Sequence, residues 1–273
     1  MTPAEYRRRQ ESIAAGVRAA LAPLLRQLRG QPPAEQWQPL LDAVYRAVFA
    51  ARVESWRLAA DFYAAQRRTQ LTPAGDSQPP RTSAAAAEPA AAGRLQPVAG
   101  GGQPEVPRRN YPPAAIAAAL RPLRARLDAL DAGAPPPEPA VAQALAAAER
   151  HARDAGREAI VDAARHDPAA LGYARRALSG NPCAFCLMLV SRGPVYKTAT
   201  SALLRDGGGE PYHDHCSCVA VPVFHRERWP GREQADDLQR QWREHGGTLA
   251  AWRRHIDIQR RAQPAAPAPP AAA

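Results

Sequence analysis

The chain has four cysteines, in two close pairs: Cys183-x-x-Cys186 and Cys216-x-Cys218. His213 and His215 stand just before the second pair. Thiolates two and three residues apart can converge on one borderline-soft cation, and zinc is the usual one. A C-x-x-C on a tight turn supplies half of a tetrahedral site. An extended C-x-C can supply the other half, because residues two apart face the same side of a strand. His213 lies three residues before Cys216 and can also reach in. The candidate metal ligands are therefore Cys183, Cys186, His213, Cys216 and Cys218, five groups for four positions. His215, next to Cys216, is expected to point away. The spacing fits four cysteines, or three cysteines and one histidine. The remaining group would then lie beside the ligands and orient them.

Two other uses of the thiols stay open: disulfides or a redox pair, and unrelated free thiols. The start MTPAEYRRRQ has no apolar signal-peptide core, which argues against an oxidising compartment. The C-x-x-C is not set in a β-α-β pattern, which weakens a redox reading. Gathering every cysteine beside histidines argues against unrelated thiols. A closed set of four protein ligands leaves no position for water, so the expected zinc is structural.

Catalytic constellations are missing from the sequence. There is no Gly-x-Ser-x-Gly elbow and no His-Glu-x-x-His. Asp236 and Asp237 occupy adjacent helical positions and point two ways. The glycines of RDGGGE (205–210) lack a Gly-Lys-Ser/Thr ending, so they read as a loop rather than a phosphate cradle. We expect a non-enzyme with no small-molecule substrate. A metal-dependent enzyme is the third reading.

Helices must carry this stretch. Ile13, Val17, Leu21, Leu24, Leu25 and Leu28 recur at helical spacing over 4–29, with Pro23 expected to kink or end the helix and Gly30 to stop it. Pro32-Pro33 open a longer helix to about Arg68. Its apolar face reads Tyr45, Phe49, Val53, Trp56, Ala60, Tyr63, and its opposite face Arg46, Arg52, Arg57, Asp61. Residues 72–110 are rich in Pro, Gly, Ala and Ser and poor in large apolar groups, so they read as a disordered linker. Pro112-Pro113 start a helix bearing Ile116, Leu120, Leu123, Leu127 and Leu130, and another covers about 139–166. Asp167-Pro168 looks like the cap of a short helix to about Leu178 that delivers the C-x-x-C. Pro194 to Tyr196 and Val219 to Phe224 read as strands of a hairpin closed by the metal, with Pro222 suited to an edge. Helices follow at about 232–245 and 248–261, with Leu238, Trp242, Leu249, Trp252 and Ile256 able to pack back on the metal unit. Residues 263–273 read as a disordered tail.

The fold class is thus mainly α: a helical N-terminal region (1–71), a linker (72–110), and a helical domain (111–262) holding a small zinc-stapled β-hairpin (181–224). Whether the N-terminal helices pack on the second unit is open at this level. The net charge is +10 over 273 residues, and Lys197 is the single lysine among 36 basic residues. A GC-rich genome explains arginine over lysine but not the excess of base over acid. That excess suggests a polyanion nearby, most often nucleic acid. Aromatic residues make up 6 %, too few and too scattered for a stacking platform. No apolar run approaches the roughly 18–20 residues of a membrane span.

Residues 181–224 also resemble a known family. The C-x-x-C of Cys183 and Cys186, the Gly193 to Tyr196 turn, Tyr212, His213, Cys216, Cys218 and the Val219 to Phe224 strand are similar to the core of the Mu-F-like minor capsid (head morphogenesis) proteins of tailed phages. Those of phages infecting actinobacteria are most alike. Many members read His-Pro-Asn-Cys-Arg-Cys. Here it is His213-Asp214-His215-Cys216-Ser217-Cys218, so the His and Cys positions hold and three others differ. The flanking helices match loosely. The resemblance implies a structural virion protein that acts in head assembly. It would lie inside the capsid near the portal after assembly in the host cytoplasm, with portal and capsid proteins as partners and packaged DNA within reach. The alternative from the residues alone is a zinc-containing nucleic-acid-binding protein.

Overall fold

A computed structural model describes residues 1–72, 111–179, 181–194, 216, 218–245 and 247–262. The expected linker beyond residue 72, the loop at 205–210 and the tail at 263–273 lie outside the described residues, as do Val195 and Tyr196 of the expected first strand. Among the described residues, seven helices and two strands follow in order: α1 (Pro3–Arg26), α2 (Ala34–Leu71), α3 (Pro113–Asp128), α4 (Glu138–His166), β1 (Gly172–Arg176), α5 (Ala184–Val190), β2 (Val219–Val223), α6 (Arg232–Glu244) and α7 (Leu249–Ala262). The fold is mainly helical with one small antiparallel sheet, as the sequence indicates.

α1 begins at a capping box. Thr2 Oγ1 accepts the Glu5 amide at 3.2 Å and Glu5 Oε2 accepts the Thr2 amide at 2.7 Å. Its buried stripe is Tyr6, Gln10, Ile13, Ala14, Val17, Leu21 and Leu25. Pro23 does not end the helix, which continues to Arg26. The ring sits on the exposed face, where water can serve the carbonyl that loses its amide partner. Nor is Gly30 the helix stop, because α1 closes at Gln27. Gly30 instead lies against the turn after α3: its amide donates to Ala134 O at 2.8 Å, and a Cβ there would clash with Asp131 O.

α2 buries Val44, Val48, Ala51, Arg52, Ser55, Leu58, Phe62, Tyr63, Gln66 and Gln70. This stripe is rotated by about one residue from the face read in sequence, and most of the expected apolar face is only half-buried. Arg52, expected on the solvated face, is 1 % exposed. Its guanidinium donates to His151 O and to Glu158, both at 2.7 Å, and lies 4.1 Å from the centre of the Tyr111 ring. Those partners come from outside α2, so no pattern within α2 announces them.

Helices on both sides of the 72–110 stretch share one core. Leu21 and Leu25 of α1, Val48 and Phe62 of α2, Ile116 and Leu123 of α3, and Val141 and Ile160 of α4 belong to one buried cluster. Each such side chain contributes about 1.5–3 kcal/mol of transfer free energy. The N-terminal helices therefore pack on the second half of the chain.

Residues 168–178 are not a helix. Asp167 ends α4, and its carboxylate accepts from the Ala169 amide, from Tyr63 Oη and from Arg67 Nε. The chain then enters β1, which pairs antiparallel with β2, Gly172 opposite Val223 through Arg176 opposite Val219. Among the described residues β2 takes β1 as its partner; the pairing expected with 194–196 falls on residues outside the described ones. A five-residue run carries too little periodicity to separate helix from strand, and the buried VAVPV run needs a ladder for its backbone. On the far side of β2, Gln70 of α2 closes the edge. Its amide donates to Pro222 O and accepts from the Phe224 amide, each at 2.9 Å.

Candidate metal centre

Three elements bring the thiols together. Cys183 is the N-cap of α5, and its Sγ accepts the Cys186 amide at 3.2 Å. The C-x-x-C therefore spans the first turn of a short helix, an element the sequence reading left out. Cys216 and Cys218 lead into β2, which the sheet and α4 hold in place. The Sγ atoms of Cys186, Cys216 and Cys218 all lie within 4.8 Å of one another, and all three residues are buried. Cys186 and Cys216 are 3.5 Å apart. Cys183 is half-buried beside Cys186 and outside that mutual group. His213 and His215 lie outside the described residues. None of the four cysteines is joined in a disulfide.

Electrostatics follow from this crowding. Hydrogen bonds from the Cys186 and Cys218 thiols, with help from the Arg157 guanidinium, hold Cys216 far below the usual thiol range. Cys186 is pushed far above it by contact with Cys183, then with Cys216 and Cys218, and by burial. For Cys218 the Cys186 contact pulls downward, but Cys216 and burial together outweigh it and raise the value.

The cluster is also the middle of a second, smaller core. Cys186, Cys216 and Cys218 pack with Met188, Leu189, Val190, Leu238, Trp252 and Ile256. Trp242 and Leu249 lie against it. The expected packing of the C-terminal helices on this unit is present. Trp252 Nε1 donates to Ala184 O at 2.7 Å, and Trp242 meets Trp252 edge to face at 5.6 Å. Arginines reach in as well. Arg7 donates to Leu178 O and Arg260 to Pro182 O. Arg157 donates to Cys216 O at 2.8 Å and Arg153 to the same oxygen at 3.3 Å. Sequence reasoning missed Arg153, Asp154 and Arg157. The available signal was four polar residues at 150, 153, 154 and 157, one face of an otherwise alanine-rich helix.

Fold and site together define a helical protein with a small sheet and a buried cysteine cluster at the middle of its smaller core. The chain belongs to the VG15 protein family, whose model matches residues 2–245. It is similar to the Gene 15 protein of Mycobacterium phage D29, 34 % identical over 133 residues, covering 39 % of this chain and 48 % of that protein. The Gene 15 protein of Mycobacterium phage L5 is 32 % identical over 153 residues, covering 43 % of this chain and 51 % of that protein. The chain thus spans about half the length of these curated relatives. No solved structure matches it. The family and relatives make this a phage protein of the actinobacterial-phage type. Among the described residues, no helix is long and apolar enough to cross a membrane.

Proposed function

We propose that this chain is a structural head-assembly protein of a tailed phage, a minor capsid protein of the Mu-F-like kind, stapled by one zinc ion. The observation that carries the zinc is the group of three buried thiols within 4.8 Å of one another. Tetrahedral zinc with Zn–S bonds of about 2.3 Å sets sulfurs about 3.8 Å apart, so the donor set fits with little movement. Cys186, Cys216 and Cys218 would hold the ion, with Cys183 or His213 as the fourth ligand. The ion would supply cross-linking rather than catalysis, tying α5 and the C-x-C segment into one core. Support for the head-assembly role comes from VG15 membership, the mycobacteriophage relatives and the 181–224 pattern. The role places the chain inside the capsid near the portal, with portal and capsid proteins as partners.

The test uses the full chain. Purified protein should carry one zinc per chain, and Cys186→Ser and Cys218→Ser should each lose it and loosen α5 to α7 in amide exchange. Phage carrying either change should assemble heads poorly. No zinc in the unaltered protein sinks the staple; normal heads from both variants sink its role in assembly.

A second reading rests on charge. Arg240, Arg243, Arg253, Arg254 and Arg261 are exposed on α6 and α7. They suit a polyanion, so contact with packaged DNA, or nucleic-acid binding as the main role, is the alternative.

A further inference from the structure

α4 grips the backbone that carries two of the three clustered thiols. Arg157 is 6 % exposed. One guanidinium nitrogen donates to Asp154 at 2.7 Å, and the other reaches Cys216 O at 2.8 Å and Cys218 O at 3.4 Å. Asp154 also pairs with Arg150 at 3.4 Å. A planar guanidinium locked on one edge by a carboxylate presents its other edge in a fixed direction. Here that direction is set by the central helix of the larger core, and the carbonyls it meets belong to the cysteines themselves.

We propose that Arg157, oriented by Asp154, is the positioning residue of the thiol cluster: it presets the Cys216–Cys218 segment against Cys186, so that a thiophilic divalent cation meets donors already in place. The inference rests on the metal reading above and adds to it the device that organises the site. Holding both carbonyls turns the Cys216 and Cys218 side chains to a common side, which is what two ligands of one ion require. Arg153, one turn earlier, adds a second bond to Cys216 O at 3.3 Å. The two guanidinium charges also lie close to a centre that gathers negative charge as thiols ionise on a metal. The larger core thereby prepares the smaller one. Without this contact, the C-x-C segment would have to be ordered by the ion at the moment of binding, at a cost in affinity.

Zinc affinity of the full chain, measured against a chromophoric chelator, tests this, together with the cobalt(II) spectrum of the substituted site. Arg157→Ala should weaken binding about 10–100-fold, the range found when groups that orient metal ligands are removed. Its cobalt ligand-field bands should shift, while helical content stays. Arg157→Lys keeps a charge but not the fork, so it should recover only part of the loss. Arg165→Ala, an exposed change on the same helix, should match the unaltered chain. If Arg157→Ala fails to fold, Asp154→Asn gives the second reading: it frees the fork and should weaken zinc binding in the same direction. A chain that takes up no zinc at all overturns the metal reading itself. Tight zinc binding with equal affinity and identical cobalt bands in Arg157→Ala or Asp154→Asn overturns the positioning role and leaves the metal reading standing. Full recovery by Arg157→Lys also overturns it, because a lysine lacks the planar fork that Asp154 holds in one direction.

Discussion

Gly156 shows how much one missing side chain decides. It lies in the middle of α4, where α1 and α2 cross. Its amide donates to Ser55 Oγ at 3.1 Å. A Cβ there would sit 2.6 Å from Gln10 Nε2 and 2.8 Å from both Ser55 Oγ and Tyr6 Oη. Those three groups form a buried network, with Gln10 donating to Tyr6 Oη and Ser55 O, and Ser55 Oγ to Gln10 Oε1. Alanine improves helix propensity by about 1 kcal/mol, but overpacking costs about 1–3 kcal/mol and disturbs polar groups that have no water to turn to. Gly156→Ala should therefore lower the midpoint of urea unfolding. Gly16→Ala is the internal control. Gly16 is an exposed site on α1 with nothing within 4 Å of a Cβ, and there alanine should raise the midpoint. Equal shifts of one sign at both sites would remove the packing argument.

At the scale of elements, α6 and α7 form a hairpin whose closing contact can titrate. His245 and His255 stack with ring centroids 3.5 Å apart, and His255 Nε2 lies 3.4 Å from Gln241 Oε1. Burial, and then the nearness of His245, hold His255 below the usual imidazole range, with Glu244 opposing. A histidine whose value is lowered by folding binds its proton more readily when unfolded. Stability from this contact is thus present above the ordinary value of 6.5 and is lost as pH falls through the folded value. Protection of the α6 and α7 amides, taken relative to the intrinsic exchange rate at each pH, should fall between pH 7.5 and pH 5.5, while that of α4 holds. His255→Phe keeps a stacked ring and should flatten that pH response. A response that persists in His255→Phe would assign the titration to another group. The same hairpin covers the thiol core through Trp252 and Ile256, so its opening uncovers that core.

For the whole molecule, packing unites what the sequence separates, and charge sets how it meets other molecules. α1 and α2 cover α4 within one core, so a fragment beginning at residue 111 would leave the apolar faces of α3 and α4 bare. The net charge of +10 acts at longer range. If the exposed arginines of α6 and α7 meet DNA, duplex binding should weaken steeply with salt, each neutralised phosphate adding about −0.9 to the slope of log K against log salt. Changing Arg253 and Arg254 together to glutamine should reduce that slope and leave zinc content unchanged. Salt-independent binding, or none at low salt, would dismiss the nucleic-acid reading.

By itself the sequence determined most of the helices, the C-terminal packing of Leu238, Trp252 and Ile256, and the convergence of both cysteine pairs' neighbourhoods on one cluster of thiols. Periodicity and spacing are local, and amphipathic helices longer than three turns declare themselves locally. Tertiary structure alone decided the rest. β1 is a strand because VAVPV needs a partner for its backbone, although five residues of its own cannot say so. Arg52 is buried because His151, Glu158 and Tyr111 arrive from other elements to receive it. Arg157 reaches the cysteine carbonyls across a separation of about 60 residues in the chain. Hydrogen bonds between distant segments satisfy groups whose need is visible in sequence and whose partners are not.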